Sequence, residues 1–190
     1  MNPLLYIYSY IQSKTGFKTF GHKSVIKFPY KIWNTHYLEI GSNVFIAQNS
    51  FFAISTVDKK VKHNPKVKIG NNVCIGSNFF LACIDEIIIE NNVLMSDRVF
   101  ISDHIHGYEN IKIPIIDQPL VSKGKVLIKE GAFIGINVVI MPGVTIGKHA
   151  IVGASSVVTK DIPAFSVATG NPAKIIKRYN EKLKKWEKVK

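Results

Sequence analysis

The amino-acid sequence predicts an all-β protein whose chain winds as a parallel β-helix of six-residue repeats. From residue 128 onward a large aliphatic residue recurs at every sixth position, and a smaller or branched residue follows four positions later. Six is a multiple of the two-residue period of a strand but not of the 3.6-residue period of a helix, so the pattern keeps one apolar side in register only in strands. A fixed short period is also typical of coils that stack on one another. The repeated aliphatic positions are Ile128, Ile134, Ile140, Ile146, Val152 and Val158.

The same register extends upstream through three earlier stretches, which begin at residues 40, 69 and 89. In the first two stretches a Gly or Ala follows each large apolar residue. Small residues suit tight corners, where a bulky Cβ clashes and φ is often positive. A β-sandwich would instead separate its strands by turns at about 8–12-residue spacing and would show no six-residue phase. The upstream apolar positions are Ile40, Ile46, Phe52, Ile69, Ile75, Leu81, Ile89, Met95 and Ile101.

Three interruptions of the register predict where the coil becomes irregular. The step from Leu81 to Ile89 is eight residues, which predicts a two-residue bulge around residues 85–86. Residues 58–65 and 103–125 are longer breaks. A rigid scaffold accommodates such insertions by extruding them from a corner, and long loops of this kind are more often functional than accidental.

Two end segments are predicted outside the β-helix domain, which we place at residues 38–171. The N-terminal segment, residues 1–37, should contain a helix and a first irregular coil. The C-terminal segment, residues 172–190, should form a basic helix, because its apolar residues recur at 3-4-3 spacing behind a capping Asn and a first-turn Pro. Such a helix would cover the open end of the stack. The capping pair is Asn171 and Pro172, and the apolar stripe is Ile176, Tyr179, Leu183 and Trp186.

The formal charge of +12 is concentrated at the two ends of the chain. Residues 1–38 contain five Lys and no acidic residue, and residues 173–190 contain seven Lys, one Arg and two Glu. The basic residues do not interleave with a recognisable nucleic-acid recognition element, so nucleic acid is not an expected partner. A phosphate-rich small cofactor or an anionic membrane surface fits the distribution better.

Composition also indicates a compartment. No stretch has the length and flanks of a spanning helix or a signal peptide. The two cysteines, Cys74 and Cys83, show no metal-ligand spacing and are expected to be reduced thiols. These features predict a cytoplasmic protein. The apolar N-terminal residues Leu4, Leu5, Tyr8 and Ile11 can cap the coil or provide peripheral contact with the inner face of the membrane, and the sequence does not decide between them.

A histidine marks the candidate active site. The regular phase stops after Ile101, and His104 follows where the last regular turn meets the 103–125 loop. A neutral imidazole can accept a proton near pH 7, so His104 is a candidate general base. His106 lies two residues further on, and Asp103 is adjacent.

The hexapeptide rows, the segment DHIHGYEN and the tail GASSVVTKDIPAFSVATGNPAKIIKR resemble the hexapeptide-repeat acyltransferases, and among them most closely the sugar and polysaccharide O-acetyltransferases. The resemblance covers about residues 38–178 and includes maltose, galactoside, capsular and O-antigen enzymes. It implies a left-handed β-helix, a homotrimer with sites shared between chains, acetyl-CoA as the acyl donor and no metal.

The resemblance also implies roles for the residues at the loop. His104 would deprotonate the acceptor hydroxyl, which then attacks the thioester directly, so no acyl-enzyme forms. Asp103 would either orient His104 or contact sugar hydroxyls. His106 would position the acceptor, order the loop or do neither. Both are therefore candidate substrate-binding residues.

The acetyl-CoA groove is implied to lie between neighbouring subunits. Small residues would let the pantetheine approach the backbone, and basic residues of the tail would meet the nucleotide phosphates. Two further positions, Thr159 and Lys160, are expected at the same edge as the small residues. The implied cofactor-binding residues are Gly135, Ala154, Thr159, Lys160, Lys174 and Lys177.

Three other functions remain alternatives. An N-acetyltransferase acting on an amino sugar or a sugar nucleotide would use the same scaffold and base. A metal-dependent hydratase like the γ-class carbonic anhydrases needs three converging imidazoles, and downstream of His106 the sequence offers His149 alone. A non-catalytic β-helix scaffold would not need the histidine and its loop. The sequence does not reveal the acceptor or the acetylated position.

Overall fold

A computed structural model of the chain describes residues 10–12 and 14–189. Within this range the chain winds into a three-sided coil, whose sides are three parallel sheets that we call A, B and C. One column of aliphatic side chains fills the interior. The prediction of an all-β parallel β-helix is therefore confirmed. We name each corner by the sheets it joins: A–B, B–C and C–A.

The strands are short, and each coil contributes about one strand to each sheet. Sheet A contains β1 (Thr19–Phe20), β4 (Leu38–Ile40), β9 (Lys66–Ile69), β12 (Glu86–Ile89), β17 (Val126–Ile128) and β20 (Thr145–Ile146). Sheet B contains β2 (Val25–Ile26), β5 (Phe45–Ile46), β10 (Cys74–Ile75), β13 (Leu94–Met95), β18 (Phe133–Ile134), β21 (Ile151–Val152), β23 (Ser166–Gly170), β24 (Ala173–Asn180) and β25 (Lys185–Lys188). Sheet C contains β3 (Tyr30–Ile32), β6 (Ser50–Ile54), β11 (Phe80–Cys83), β14 (Phe100–Ser102), β19 (Val139–Ile140) and β22 (Val157–Val158).

Four further strands form two hairpins outside the coil. The first hairpin pairs β7 (Val57–Asp58) with β8 (Val61–Lys62), and the second pairs β15 (His104–His106) with β16 (Leu120–Ser122). Two 3₁₀ turns cover Thr35–Tyr37 and Ile115–Asp117.

The predicted aliphatic positions stack in register and are buried. On sheet A, Ile40 lies beside Ile69, which lies beside Ile89, and the ladder continues through Ile128 to Ile146. Each of these side chains is at most 1% exposed. Burying one such side chain contributes about 1.5–3 kcal/mol, so the six-residue register is the main source of stability that can be identified from the sequence.

The corners turn differently from our expectation. The residue with positive φ stands three positions after the inward apolar residue, not directly after it, and Asn is the commonest residue there. Gly135, which directly follows an aliphatic residue, is small for another reason: a Cβ there would lie 2.7 Å from the backbone nitrogen of Ala154 on the next coil. Asn tolerates the left-handed region better than other non-glycine residues. The left-handed Asn residues of the corners are Asn43, Asn49, Asn72, Asn78, Asn92 and Asn137.

All three predicted interruptions leave the coil at the C–A corner. The first hairpin lies between β6 and β9, and the second lies between β14 and β17. Between them, Ile84 and Asp85 form a two-residue extension that separates β11 from β12. Three successive coils therefore place their extra residues side by side.

The β-helix begins earlier than we predicted. Strands β1, β2 and β3 already form a regular first coil, in which Phe20, Ile26 and Ile32 pair with the inward residues of the second. The boundary at residue 38 is therefore wrong, although the six-residue spacing of these three residues was available in the sequence. Residues 10–12 are helical, and the rest of the predicted N-terminal helix lies outside the described residues.

The predicted C-terminal helix is wrong. Strand β24 pairs antiparallel with β23, and β25 pairs antiparallel with β24. The Asn180 side chain accepts hydrogen bonds from the backbone nitrogens of Lys182 and Leu183, which closes the turn between the two strands. The free edge of β23 offers backbone hydrogen bonds that a helix would leave unpaired, so the edge overrides the helical spacing. The tail covers the end of sheet B, as the helix was expected to do.

Candidate active site

His104 is the first residue of the extruded hairpin and is held from both sides. Ser102 is the last residue of β14 in sheet C. Its hydroxyl accepts a hydrogen bond from the backbone nitrogen of His104 at 3.2 Å and donates one to the carbonyl oxygen of His104 at 2.8 Å. The Nδ1 atom of His104 lies 2.7 Å from the Oδ1 atom of Asp103. The Asp103 side chain is fully buried, while the His104 side chain is 12% exposed. The imidazole is therefore fixed but reaches the surface.

The Asp103 carboxylate is bound by the two-residue extension of the preceding coil. The backbone nitrogens of Ile84 and Asp85 donate to it at 3.1 and 2.9 Å, and the Cys83 thiol donates at 3.1 Å. Burial alone would raise the pKa of Asp103, but these donors and His104 outweigh burial and bring the pKa below its ordinary value. An ionised carboxylate accepts hydrogen bonds only, so Nδ1 of His104 carries the proton.

The position of Asp103 bears on its two expected roles, which are to orient His104 or to contact sugar hydroxyls. Its carboxylate has no exposed surface and faces His104 and the 83–85 backbone. Contact with a sugar hydroxyl is therefore not a role that its position allows, and the expectation of a substrate-binding Asp103 is corrected to a positioning one. The thiol of Cys83 is also buried, and burial together with the Asp103 charge raises its pKa, so this thiol stays protonated and donates.

His106 is an exposed residue of the same strand as His104, opposite Leu120. Side chains two positions apart in a strand lie on one face, so His104 and His106 share a face of the hairpin. The tip beyond them is held by Gln118, whose amide nitrogen donates to the carbonyl oxygens of Asn110 and Ile113. His106 remains a candidate for contact with the acceptor.

A polar cleft of about 410 Å³ lies at the C–A corner, next to residues that contact the Asp103–His104 pair and not lined by the pair itself. Its lining includes the 84–85 extension, whose backbone binds Asp103. One wall includes Ser122, which is the cross-strand partner of His104 and donates to Asp85 at 2.8 Å. The cleft is lined by Lys62, His63, Asn64, Ile84, Asp85 and Ser122. Hydroxyl, amide and carboxylate groups of this kind suit a polyhydroxylated ligand.

The residues predicted to bind acetyl-CoA fall into two places. Gly135 and Ala154 lie on neighbouring coils at the B–C corner, where Ala154 is exposed. Lys174 pairs with Thr169 at the end of β23, and the backbone nitrogen of the next residue, Gly170, binds the Ser156 hydroxyl at the same corner. Lys177 lies further back along sheet B. The structure therefore brings Gly135, Ala154 and Lys174 to one corner.

Thr159 and Lys160 do not join that group. They follow β22 and lie at the C–A corner, one side of the coil away from Ala154. Our expectation that they share an edge with the small residues is wrong, because the chain has by then crossed sheet C. Both are exposed at the corner that also carries His104, two coils along.

Sequence reasoning missed the groups that hold Asp103 and, through it, His104. Cys83 was interpreted only through its redox state, and the eight-residue step was interpreted only as a bulge. The signal for both was available: Cys83, Ile84 and Asp85 lie twenty, nineteen and eighteen positions before Asp103, about one coil, and so lie directly beside it.

Two negative findings concern residues 10–12 and 14–189. No helix in this range is long and apolar enough to cross a membrane. In the same range, no three His, Cys, Asp or Glu side chains are grouped closely enough to hold a metal ion.

The comparisons show that this chain is similar to transferases built from hexapeptide repeats. Residues 125–160 match the family described as bacterial transferase hexapeptide (six repeats). The AntD N-acyltransferase from Bacillus cereus, solved with dTDP and 3-hydroxybutyryl-CoA, covers 92% of this chain and 89% of its own, with 25% identity and a TM-score of 0.76. These matches confirm the predicted left-handed β-helix and the resemblance to the hexapeptide-repeat transferases.

Two curated relatives carry more specific names. A lipopolysaccharide biosynthesis O-acetyl transferase of Escherichia coli (strain K12), WbbJ, is 38% identical over 115 residues, which is 57% of this chain and 59% of that protein. A dTDP-3-amino-3,6-dideoxy-alpha-D-galactopyranose 3-N-acetyltransferase of Aneurinibacillus thermoaerophilus is 56% identical over 54 residues, 28% of each chain. The chain thus spans less than two thirds of either relative's length.

Proposed function

We propose that the chain is an acetyl-CoA-dependent sugar acetyltransferase in which His104 is the general base. The observation that carries the proposal is the 2.7 Å hydrogen bond between Nδ1 of His104 and the buried Asp103 carboxylate, at the root of the extruded hairpin. The hydrogen bonds of the described residues leave Nε2 of His104 without a partner. The names of the relatives, an O-acetyl transferase and an N-acetyltransferase of sugars, support the reaction class.

The residues present can perform this chemistry without a covalent enzyme intermediate. Asp103 keeps the proton on Nδ1, so Nε2 has the lone pair that accepts the proton of an acceptor hydroxyl. Bound acetyl-CoA would supply the thioester carbonyl that the hydroxyl attacks. Asp103 also stabilises the imidazolium that results, and His104 can then return the proton to the departing sulfur.

The B–C corner is the proposed donor site. The residues there fit a coenzyme with a pantetheine arm and phosphates, since Ala154 is small and exposed and Lys174 has no ion-pair partner among the described residues. Lys177 lies directly opposite Lys188 in the tail hairpin. Like charges opposite each other are destabilising in an antiparallel pair, and a bound phosphate would relieve the repulsion. Thr159 and Lys160 stay proposed contacts, from the C–A corner.

The positions of these groups support a homotrimer with shared sites. His104 is at the C–A corner and Ala154 is at the B–C corner, so sheet C separates them. A six-residue side spans roughly 20 Å, which is too far for one chain to close a site around a thioester. A C–A corner of one copy against a B–C corner of the next would bring base and donor together.

The exposed apolar surface supports the same assembly. Four isoleucines lie at the tip of the 103–125 loop, and Ile111 is 94% exposed. Leu94 on the outer side of sheet B is 48% exposed, whereas the outer side of sheet A carries ion pairs such as Lys66–Glu86. Contiguous exposed apolar groups mark interaction sites. The tip isoleucines are Ile111, Ile113, Ile115 and Ile116.

The proposal is tested with His104→Ala. Release of CoA thiol, measured on a panel of sugars with hydroxyl or amino groups, should fall by about 10²–10⁴-fold, because a general base contributes that much. Acetyl-CoA affinity should stay unchanged. If the variant keeps more than about a tenth of wild-type turnover at neutral pH, another group is the base.

The same panel decides between oxygen and nitrogen as the acceptor atom. O-transfer is the first candidate, since WbbJ matches 115 residues of this chain and the N-acetyltransferase of Aneurinibacillus thermoaerophilus matches 54. N-transfer is the second candidate, since AntD covers nearly the whole chain. A panel in which no sugar acceptor releases thiol, while acetyl-CoA binds, would favour the non-catalytic scaffold.

A further inference from the structure

We propose that the hairpin of residues 57–62 and the adjoining cleft bind the diphosphate group of an acceptor sugar that is carried as a diphosphate ester. The inference rests on the proposed function for the identity of the base. It defines the acceptor by its negatively charged diphosphate group and leaves the identity of the sugar open.

The hairpin concentrates unpaired positive charge in a body that is otherwise nearly neutral. Its tip is Lys59 and Lys60, and Lys62 follows on the strand that returns to the cleft. None of the three has an ion-pair partner among the described residues. The nearby carboxylate of Asp58 accepts a hydrogen bond from the backbone nitrogen of Leu120 at 2.6 Å, which docks the hairpin on the 103–125 loop.

The tip also adopts a conformation that lysine does not favour. Lys59 and Lys60 have φ values of 43° and 72°, the left-handed region in which two-residue hairpin turns normally place Asn and Gly. Each non-glycine residue there costs on the order of 1 kcal/mol. Two charged residues that keep such a conformation at an exposed tip point to a binding role rather than a structural one.

The cleft supplies a second, independent observation. The Nε2 atom of His63 is buried and has no hydrogen-bond partner in the described chain. Buried polar atoms are nearly always paired, so an orphan nitrogen in a cleft wall indicates a missing acceptor or donor. Because this atom has almost no exposed surface, the His63 ring has to turn toward the cleft before a phosphate oxygen or a sugar hydroxyl can serve as that partner.

The two ends of the cleft differ in chemistry, which orients the ligand. Asp85 lies at the end that binds Asp103 and, with Asn64, suits sugar hydroxyls. The Asp85 charge would repel a phosphate at that end, so the diphosphate belongs at the lysine end. This arrangement places the sugar ring toward His104 and the diphosphate on the hairpin.

The test measures binding without turnover. Isothermal titration of the full chain with inorganic pyrophosphate and with dTDP should give a Kd about tenfold higher for the double variant Lys60→Gln/Lys62→Gln than for wild type. The matched control Lys23→Gln/Lys129→Gln removes the same charge at the A–B corner and should leave the Kd unchanged. Binding should weaken as salt rises.

The coenzyme also contains a diphosphate, so a second comparison separates the two sites. Lys174→Ala/Lys177→Ala should weaken acetyl-CoA binding and spare pyrophosphate, and the hairpin variant should do the reverse. A much lower Kd for dTDP than for pyrophosphate would identify a nucleotide carrier, and equal values would indicate that the diphosphate alone is recognised, as for a lipid carrier. Equal losses in the hairpin variant and its control, or pyrophosphate binding lost only in the Lys174/Lys177 variant, would overturn the inference while leaving the role of His104 intact.

Discussion

The substitution Asp103→Asn should remove the base without disturbing the fold. One carboxylate oxygen meets Nδ1 of His104 at 2.7 Å, and the other meets the Asp85 nitrogen at 2.9 Å and the Cys83 thiol at 3.1 Å. Asn must turn its NH₂ group toward one of these sides. If the NH₂ group turned toward the 84–85 backbone, it would face backbone N–H groups, which are donors too and cannot become acceptors. Turned toward the imidazole, it needs only that His104 moves its proton from Nδ1 to Nε2.

The second orientation has the lower free energy, and it converts His104 into a residue whose Nε2 no longer accepts a proton. We therefore expect kcat to fall by about 10²–10⁴-fold, the contribution of a general base. The stability cost is smaller, because Asn still accepts from the 84–85 backbone and only the charge assistance is lost. That loss is about 1–3 kcal/mol, or a Tm lower by roughly 2–12 °C for a chain of this size.

The assay combines turnover with a direct readout of the tautomer. CoA thiol release at saturating acetyl-CoA measures kcat, and the ¹⁵N spectrum of His-labelled protein shows which ring nitrogen carries the proton. A variant that stays folded and keeps its turnover within tenfold of wild type would refute the reasoning. So would a large loss of turnover with the proton still on Nδ1, because Asp103 would then act through packing rather than through the tautomer.

Three further expectations concern pH, the donor and the assembly. The pKa of Asp103 is depressed in the folded chain, so its carboxylate stabilises the fold above its unfolded pKa of about 3.9 and loses this as pH falls through the lower folded value. Denaturant titrations should therefore show wild type more stable than Asp103→Asn above about pH 5, with the gap closing in acid, and a pH-independent gap would contradict the assigned shift. Lys174→Ala/Lys177→Ala should raise the acetyl-CoA KM with little change in kcat, whereas the control Lys182→Ala/Lys184→Ala should change neither; a fall in kcat at constant KM would remove these lysines from the donor site. Light scattering at micromolar concentration should give three times the chain mass of 21.3 kDa, and substituting the tip isoleucines by Asp should lower that mass without unfolding the monomer; a monomeric wild type would exclude shared sites.

The repeat region shows how much of the fold was predictable from the sequence. A six-residue period specifies strands, an inward side and a stacking direction at once, and the structure follows it at every aliphatic position from Ile40 to Val158. The C-terminal tail was not predictable in this way, because Ile176, Tyr179 and Trp186 satisfy a helical stripe and a pair of strands equally well. The free edge of β23 decided between them, and an edge is a property of the folded neighbour, not of the segment itself.

The site was predictable in part for the same reason. His104 follows from the place where the period breaks, and Asp103 from its adjacency. The cleft did not follow, because it is built by residues more than 35 positions apart, such as Asp85 and Ser122, that meet only after the coils stack. Composition carried one further signal: a Lys-rich turn inside a nearly neutral repeat body.

The irregularities of the repeat and the candidate site have one physical origin. A regular corner of this coil offers one backbone nitrogen to a carboxylate of the next coil, as Ser77 does to Asp97 at 2.7 Å. The two extra residues at 84–85 release two nitrogens at the C–A corner, and these bind the carboxylate that holds His104. Asp58 in the preceding coil binds Leu120 in the following one across the same corner. Each insertion is therefore stabilised by its neighbours. A chain that restored the regular period at any of the three would lose the anchor of His104, part of the cleft lining or the hairpin that flanks the cleft.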